Sequence, residues 1–308
     1  MEQKKNILSV KNLSVSFKMY DKGLEQKDLK VISNLNISVQ EGEILAIAGS
    51  SGSGKSLLAS AILGILPNNA SVDGIMTYCG MELTEELQKK LRGKEIALVP
   101  QSVAYLDPLM HVGSQVVGVR GTLEKMRTAF KRYELSKEVE TMYPFQLSGG
   151  MARRILLSTA VIGDARLIVA DEPTPGLSKE MAKDAMGHLR TLADEGRGII
   201  LITHDIDLAF EYADRVAVFY AGTTVETAPV EDFRNGPESL RHPYSKALWE
   251  ALPQNGFKPI PGTQPYAGSL PEGCLFWPRC PVRTEACMKG EIPSRSLRGG
   301  EVCCIHAT

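Results

Sequence analysis

The fold is decided by the stretch Gly49-Ser50-Ser51-Gly52-Ser53-Gly54-Lys55-Ser56, which matches the phosphate-binding pattern G-x-x-x-x-G-K-[ST]. The apolar residues 44–48 before it predict a buried strand, and residues 56–66 after it predict a helix that Pro67 ends. Glycines in such a loop let backbone N–H groups turn toward a β-phosphate at the start of the helix. Lys55 then supplies positive charge to the β- and γ-phosphate oxygens, and Ser56 offers a hydroxyl to Mg²⁺. The stretch therefore predicts a magnesium-dependent nucleotide site.

Further short apolar runs predict the sheet that carries this loop. Helical stretches separate most of them, so a parallel sheet with both faces covered is expected. The runs are residues 96–99, 167–170, 199–202 and 216–219. Residues 7–49 mostly alternate apolar and polar side chains, which predicts half-buried antiparallel strands. Together these patterns predict an α/β fold of the P-loop NTPase kind with an N-terminal antiparallel β subdomain.

A second motif stands at the end of one predicted strand. Residues 167–170 run into Asp171 and Glu172. Paired with the phosphate loop, Asp171 is predicted to hold Mg²⁺, directly or through water, and Glu172 to polarise the attacking water. The two motifs together predict a nucleotide hydrolase.

Composition excludes several other classes of protein. The 308-residue chain has 35 basic and 36 acidic side chains, and 43% of its residues are hydrophobic. This is the ordinary balance of a soluble globular protein, not of a collagen or a histone-like polycation. The apolar stretch 57–66 is much shorter than the roughly 20 residues that a membrane-spanning helix needs. The amino terminus lacks the features of a secretory signal, so a cytoplasmic location is expected.

Two changes in pattern divide the chain. From Gln101 to about residue 150 the strand signal disappears, and a small helical subdomain is expected. From Asn235 onward, ten prolines interrupt any long periodic element. We therefore predict a nucleotide-binding domain over residues 1–234 and a Pro- and Cys-rich extension over residues 235–308.

The stretch Leu147-Ser148-Gly149-Gly150-Met151 precedes a helical run, so its N–H groups are expected at an anion-binding helix start. These residues resemble the signature of the ATP-binding subunits of ABC transporters, and the resemblance spans residues 8–231. It implies the ABC ATPase fold, with ATP and Mg²⁺ as cofactors. It also implies that Ser148, Gly149 and Gly150 of one subunit close over the γ-phosphate bound by a second subunit.

The same resemblance assigns roles to isolated residues. Gln101 would contact the metal and the attacking water, and His204 the γ-phosphate. Phe17 matches the aromatic residue that stacks on adenine, with Tyr20 as the alternative. Ser178 stands where the family usually has an aspartate that couples the two sites of the dimer, which implies asymmetric or weak hydrolysis.

The C-terminal extension narrows the resemblance to one branch of this family. The stretch His242-Pro243-Tyr244 and the segment 270–281 resemble the carboxy-terminal extension of oligopeptide, dipeptide and nickel importer ATPases. In that branch cysteines ligate an iron–sulfur cluster in some members, which implies a [4Fe-4S] site here. The candidate ligands are Cys274, Cys280, Cys287 and Cys304, with Cys303 as the alternative to Cys304. Zinc and free thiols remain alternatives, although the spacing differs from that of common zinc ribbons.

Two functions follow from these observations. The first is a peripheral ATPase on the cytoplasmic face of the membrane, which powers import of peptides, nickel or a metal chelate. Its implied partners are a second ATPase subunit, two membrane permease subunits and, indirectly, an extracellular solute-binding protein. The alternative is a soluble ABC-type ATPase in DNA repair or translation. A net charge of -1 and a short helical insertion count against nucleic acid as a partner.

Overall fold

Two β-sheets form the framework of this computed structural model, which describes residues 5–20, 25–118 and 121–308. One sheet has four strands and the other has eight. The strands are β1 (Asn6–Tyr20), β2 (Gln26–Gln40), β3 (Ile44–Gly49), β4 (Ala70–Tyr78), β5 (Met81–Glu82), β6 (Ile96–Val99), β7 (Leu167–Asp171), β8 (Gly198–Ile202), β9 (Arg215–Tyr220), β10 (Thr223–Pro229), β11 (Arg295–Leu297) and β12 (Gly300–Val302).

The four-stranded sheet has the order β2-β1-β4-β5, and its strands are antiparallel. The alternation in the sequence predicts the β1–β2 pair. Strand β4 was not predicted, because most of its residues are exposed and it lacks a clean alternation of buried and exposed positions. The inner face of this sheet packs on the larger sheet in one apolar cluster, which includes Leu13, Leu35 and Ile47.

The eight-stranded sheet has the order β11-β12-β10-β9-β3-β8-β7-β6. Its strands β9, β3, β8, β7 and β6 are parallel, as their apolar sequences predict. Every residue of β7 and β8 is buried. The carboxyl ends of β3, β8, β7 and β6 therefore lie side by side at one edge of the sheet.

Helices cover the larger sheet. They are α1 (Lys55–Leu63), α2 (Glu85–Leu91), α3 (Val112–Val117), α4 (Leu123–Arg132), α5 (Gly149–Val161), α6 (Lys179–Asp194), α7 (Ile206–Tyr212), α8 (Val230–Arg234) and α9 (Pro243–Glu250). Short 3₁₀ turns join several of them. In the described ranges, no helix combines the length and the apolar character that a bilayer crossing requires.

Helix α1 ends earlier than the sequence predicts. It stops at Leu63 because Gly64 adopts a left-handed conformation with φ of 62°, three residues before Pro67. The Gln88 side chain donates hydrogen bonds to the carbonyls of Ala61 (2.7 Å) and Ile62 (3.2 Å). These bonds satisfy carbonyl groups that the end of the helix leaves free.

The segment between β6 and α5 is helical in short pieces. It contains α3, α4 and 3₁₀ turns at Val103–Tyr105, Lys137–Thr141 and Pro144–Gln146. Phe130 and Tyr133 are buried and pack this segment against α5 and α6. The Tyr133 hydroxyl lies 2.7 Å from Nδ1 of His188 on α6, which links the segment to the core.

The C-terminal extension continues the core and does not build a second one. Strand β12 pairs antiparallel with β10 and so enlarges the main sheet. Tyr244 and Phe276 belong to the same apolar cluster as the central strands. The sheet and the core therefore both cross the predicted boundary at residue 235.

A buried ion pair fastens this extension to the sheet. The side chains of Arg241 and Glu226 are 1% and 0% exposed, with Nη1 and Oε1 3.2 Å apart. The backbone N–H groups of Arg241 and His242 also donate to the Glu226 carboxylate, at 2.9 and 2.8 Å. Arg241 donates further to Asp232 and to the carbonyl of Leu297.

Replacing Glu226 by alanine should lower the free energy of unfolding by roughly 3–5 kcal/mol, because it removes one of the two acidic partners of the buried Arg241 guanidinium and leaves the N–H groups of Arg241 and His242 without their acceptor. Urea denaturation checks this. The exposed pair Lys89–Glu85 is the control, and Lys89→Ala should leave the urea midpoint nearly unchanged. Equal effects of the two substitutions would show that the buried pair has no special role.

Candidate functional site

The phosphate loop links β3 to α1 as the sequence predicts. Gly49 has φ of 156°, and a Cβ atom there would lie 2.4 Å from the carbonyl oxygen of Phe219. Gly54, with φ of 95°, is the residue before the first turn of α1. Only glycine fits both positions, so the loop is held against the carboxyl end of β9 with its N–H groups at a helix start.

Lys55 places a positive charge inside this loop. Its side chain is largely buried, and Nζ donates to the carbonyls of Gly49 (2.9 Å) and Ser50 (3.0 Å). Burial lowers the pKa of the ammonium, and the nearby carboxylates of Glu172 and Asp171 oppose that shift. The ammonium group thus lies between two loop carbonyls and the carboxylates of Asp171 and Glu172.

Asp171 is the last residue of β7 and is buried. Burial raises its pKa, and the nearby Ser56 hydroxyl opposes that shift. Ser56 and Asp171 are the two oxygen donors that the sequence assigns to Mg²⁺. Oδ1 of Asp171 is buried and has no hydrogen-bond partner among the described residues. An unsatisfied carboxylate oxygen beside a hydroxyl fits a hard cation such as Mg²⁺.

Glu172 and His204 form a close pair. Oε1 of Glu172 lies 2.7 Å from Nε2 of His204, and the glutamate side chain is only 12% exposed. Glu172 has φ of 50°, a conformation that is costly for a residue with a side chain and is common at functional sites. Its N–H donates to the carbonyl of Ile202 at 2.8 Å, which fixes this strained turn to β8. The pair can orient a water molecule for proton removal.

Gln101 follows the neighbouring strand β6, and its side chain is exposed. Arg153 of α5 holds this turn, because it donates to the carbonyls of Pro100 (2.9 Å) and Gln101 (2.7 Å). Burial lowers the pKa of Arg153, and Glu172 and Asp171 oppose that shift. Arg153 is not among the residues predicted from the sequence, although its position two residues after Met151 of the Ser-Gly-Gly-Met stretch could have indicated a role at the site.

The signature residues lie at the start of α5. Ser148 is the N-cap, and its hydroxyl accepts a hydrogen bond from the Met151 N–H at 3.3 Å. Ser148 and Gly149 are exposed, and Gly150 is half-buried. This helix start can therefore present N–H groups to an anion outside the chain's own phosphate loop.

The two aromatic candidates for adenine differ in environment. Phe17 is half-buried and packs on the apolar cluster between the sheets. Tyr20 is 67% exposed at the end of β1, and its hydroxyl accepts a hydrogen bond from Gln26. A stacking role for either residue stays a prediction.

Ser178 has a defined structural role. It is the N-cap of α6, where its hydroxyl accepts a hydrogen bond from the Met181 N–H at 3.2 Å. Serine and aspartate serve this role about equally well. Ser178 therefore provides an effective start for α6 without a charged side chain.

Four cysteines of the extension come together. Cys274, Cys280, Cys287 and Cys304 line one small cavity, whereas Cys303 lines a different one that also includes Cys274. Burial raises the pKa of Cys274 to about 11, and it also raises that of Cys280 and Cys304. Across the described ranges, no three His, Cys, Asp or Glu side chains are arranged to share one metal ion.

Two N–H donors face the same cavity without partners. Nε2 of His242 and Nε1 of Trp277 are buried and have no hydrogen-bond partner within the described part of the chain. His242 is buried and accepts the Tyr244 N–H at Nδ1 (3.0 Å), and burial lowers its pKa to about 3. The ring is therefore neutral and carries its proton on Nε2. Thiolates or sulfides in the cavity would satisfy both donors.

Comparison with known proteins places this site in a family. The family described as ABC transporter matches residues 32–175, and the one described as oligopeptide/dipeptide transporter, C-terminal region, matches residues 225–287. The oligopeptide transport ATP-binding protein OppD of Escherichia coli is 36% identical and aligns with 93% of this chain and 89% of its own. A putative peptide import ATP-binding protein of Brucella melitensis is 34% identical, over 96% and 92% of the two chains.

Solved structures agree on the fold. The ATP-binding cassette MJ0796, solved as a dimer bound to ADP and Pi, superimposes with a TM-score of 0.64 at 24% identity. It covers 72% of this chain and 98% of its own. The phosphate loop, the acids of β7 and two family profiles thus agree, and the chain belongs to the ATP-binding subunits of ABC transporters, in the oligopeptide/dipeptide branch, as an ABC-type ATPase.

Proposed function

We propose that this ATPase powers the import of peptides through a separate membrane permease, on whose cytoplasmic face it sits. The observation that carries the proposal is the 36% identity with an oligopeptide transport ATP-binding protein over 93% of this chain, together with the match of residues 225–287. Nickel or a metal chelate is the alternative cargo. No observation favours a role in DNA repair or translation.

Catalysis follows from the arrangement of the site. Lys55 and the loop N–H groups bind the phosphates, and Ser56 and Asp171 would hold Mg²⁺, which neutralises phosphate charge when bound. Glu172 takes the proton of the attacking water, and His204, whose Nε2 lies 2.7 Å from Oε1 of Glu172, holds the carboxylate in place. Gln101 would contact the metal and the water, and the buried Arg153 fixes the turn that presents it.

A second ATPase subunit completes each site. The start of α5 is exposed, and its Ser148 and Gly149 are free to face a nucleotide held by another subunit. ATP bound between two such surfaces joins the subunits, and hydrolysis releases them. The second subunit is either a copy of this chain or a paralogue.

Permease docking is proposed on the helical segment. Leu109 is 87% exposed, and its neighbours Val103, Tyr105 and Met110 are also exposed, although Leu106 is buried and cannot dock. Gln115 fixes this turn, because its side chain donates to the carbonyls of residues 107 and 110 at 2.9 and 2.7 Å. A rigid apolar patch of this kind fits an apolar segment of a permease.

The four-cysteine cavity is proposed to bind a [4Fe-4S] cluster, with one thiolate for each iron. The grouping of Cys274, Cys280, Cys287 and Cys304 supports this ligand set over one with Cys303, as do the two unpartnered N–H donors. A bound cluster would supply positive charge at the irons, which would stabilise the thiolates against the rise in pKa caused by burial. Zinc is the alternative.

We further propose that residues 1–234 form the nucleotide-binding domain and that residues 235–308 form its extension.

Replacing Glu172 by glutamine should reduce ATP hydrolysis by about 10²-fold or more, because it removes the general base and preserves shape. ATP should still bind and hold the subunits together, which size-exclusion chromatography with ATP would detect. Lys55→Ala is the contrast, since it should lose nucleotide binding and form no such dimer. Normal hydrolysis by the glutamine variant would disprove the assignment of the base.

Replacing Leu109 by aspartate should abolish stimulation of the ATPase by the permease, because it puts a charge in the apolar patch. Basal hydrolysis by the isolated subunit should stay within about twofold. Leu123→Asp is the matched control, because Leu123 is a 59% exposed leucine at the start of α4. If both variants were stimulated normally, the patch would not be the docking site.

Replacing Cys280 or Cys304 by serine should remove iron and acid-labile sulfide from protein purified without oxygen, while Cys303→Ser should retain both. ATP binding in the presence of Mg²⁺ reports whether the phosphate loop survives. Zinc in the wild-type protein, or iron content unaffected by Cys280→Ser, would rule out the cluster.

A further inference from the structure

The phosphate loop receives a side chain from the C-terminal extension. Ser50, the second residue of the loop, donates its hydroxyl hydrogen bond to Oε1 of Gln264 at 2.5 Å. The two residues are 214 positions apart in sequence, and both are half-buried. Gln264 belongs to the part of the chain for which the sequence predicted only irregular structure.

A second residue of the extension packs at the end of β9, beside the phosphate loop. The Tyr244 ring is almost fully buried and packs on Tyr220, the last residue of β9, with the ring centres 4.5 Å apart. The residue before Tyr220, Phe219, has its carbonyl oxygen against Gly49 of the loop. The extension therefore also supports the strand end on which the loop rests.

The segment that carries Gln264 is itself held in place. Arg279 donates to the carbonyls of Pro261 (2.7 Å) and Ile260 (2.9 Å), just before Gln264 in the chain. It also donates to the Tyr220 hydroxyl at 3.3 Å. One guanidinium thus ties the Gln264 segment to the end of β9, beside the phosphate loop.

The aromatic residues at the end of β9 also border the cysteine cavity. Phe276 is buried and packs edge-on against Tyr220, with ring centres 5.2 Å apart, and against Tyr244 at 5.3 Å. The same Phe276 lines the cavity of the four cysteines. The extension therefore contacts the loop through one continuous packed group.

We propose that Gln264 is a positioning residue for ATP binding, which holds Ser50 so that the phosphate loop keeps its phosphate-binding conformation. Gln264 takes no part in proton transfer. The expected signature is a higher KM for ATP with little change in kcat, since the acids of β7 are untouched.

The test uses the full-length protein with Mg²⁺ and ATP. Gln264→Ala should raise the KM and the Kd for ATP about 2- to 10-fold, the value of one hydrogen bond, with kcat within about twofold. Tyr266→Phe removes a hydroxyl from a 71% exposed tyrosine of the same segment and should leave the KM unchanged.

A double-mutant cycle separates positioning from general destabilisation. Ser50→Ala should raise the KM by a similar factor, and adding Gln264→Ala to it should raise the KM no further, because the shared hydrogen bond is already gone. An effect of Gln264→Ala that persists undiminished in the Ser50→Ala protein would overturn the proposal. An unchanged or lower KM in the single variant would also overturn it.

Discussion

The parallel hydrogen-bonded register of β3, β8, β7 and β6 is the constraint on which the site depends. Four neighbouring strands end at one edge of the sheet, and each is followed by one part of the machinery. The phosphate loop follows β3, His204 follows β8, Asp171 ends β7 with Glu172 directly after it, and Gln101 follows β6. Because these strands are buried on both faces, close packing on each side holds their register. The same packing that stabilises the core thus positions the groups of the candidate site.

Electrostatics explains why these groups must be held so firmly. Lys55, Arg153, Asp171 and Glu172 are all largely buried, and the structure offsets the cost with opposite charges close to one another. This balance is incomplete, since one oxygen of Asp171 has no partner among the described residues. An Mg²⁺–ATP complex supplies both a cation for the acids and an anion for Lys55. The site is therefore organised around the charges of its ligand.

Much of this could be predicted from local sequence. The phosphate loop, the apolar strands and the acids of β7 have short patterns in which each residue type has a physical reason to be present. The early end of α1 has a local signal in Gly64, but the Gln88 side chain that bonds to its last carbonyls is distant in sequence. Strand β4 lacked an alternating pattern because residues 71–75 are all exposed, and Arg153 was missed because its role depends on carbonyls more than 50 residues away.

The C-terminal extension shows most clearly that contacts between distant residues cannot be predicted from local sequence. Its prolines predict irregular structure, which is largely what forms, but they say nothing of where that structure packs. Its position follows from long-range contacts: the buried Arg241–Glu226 pair, the pairing of β12 with β10, and the aromatic group around Phe276. Phe276 lines the cysteine cavity and packs against Tyr220 at the carboxyl end of β9, the strand whose Phe219 carbonyl lies against Gly49 of the phosphate loop. Because protein interiors are close-packed, a rearrangement at the cysteines is transmitted through Phe276 to this end of β9, so the extension is physically connected to the phosphate loop as well as to its own cavity.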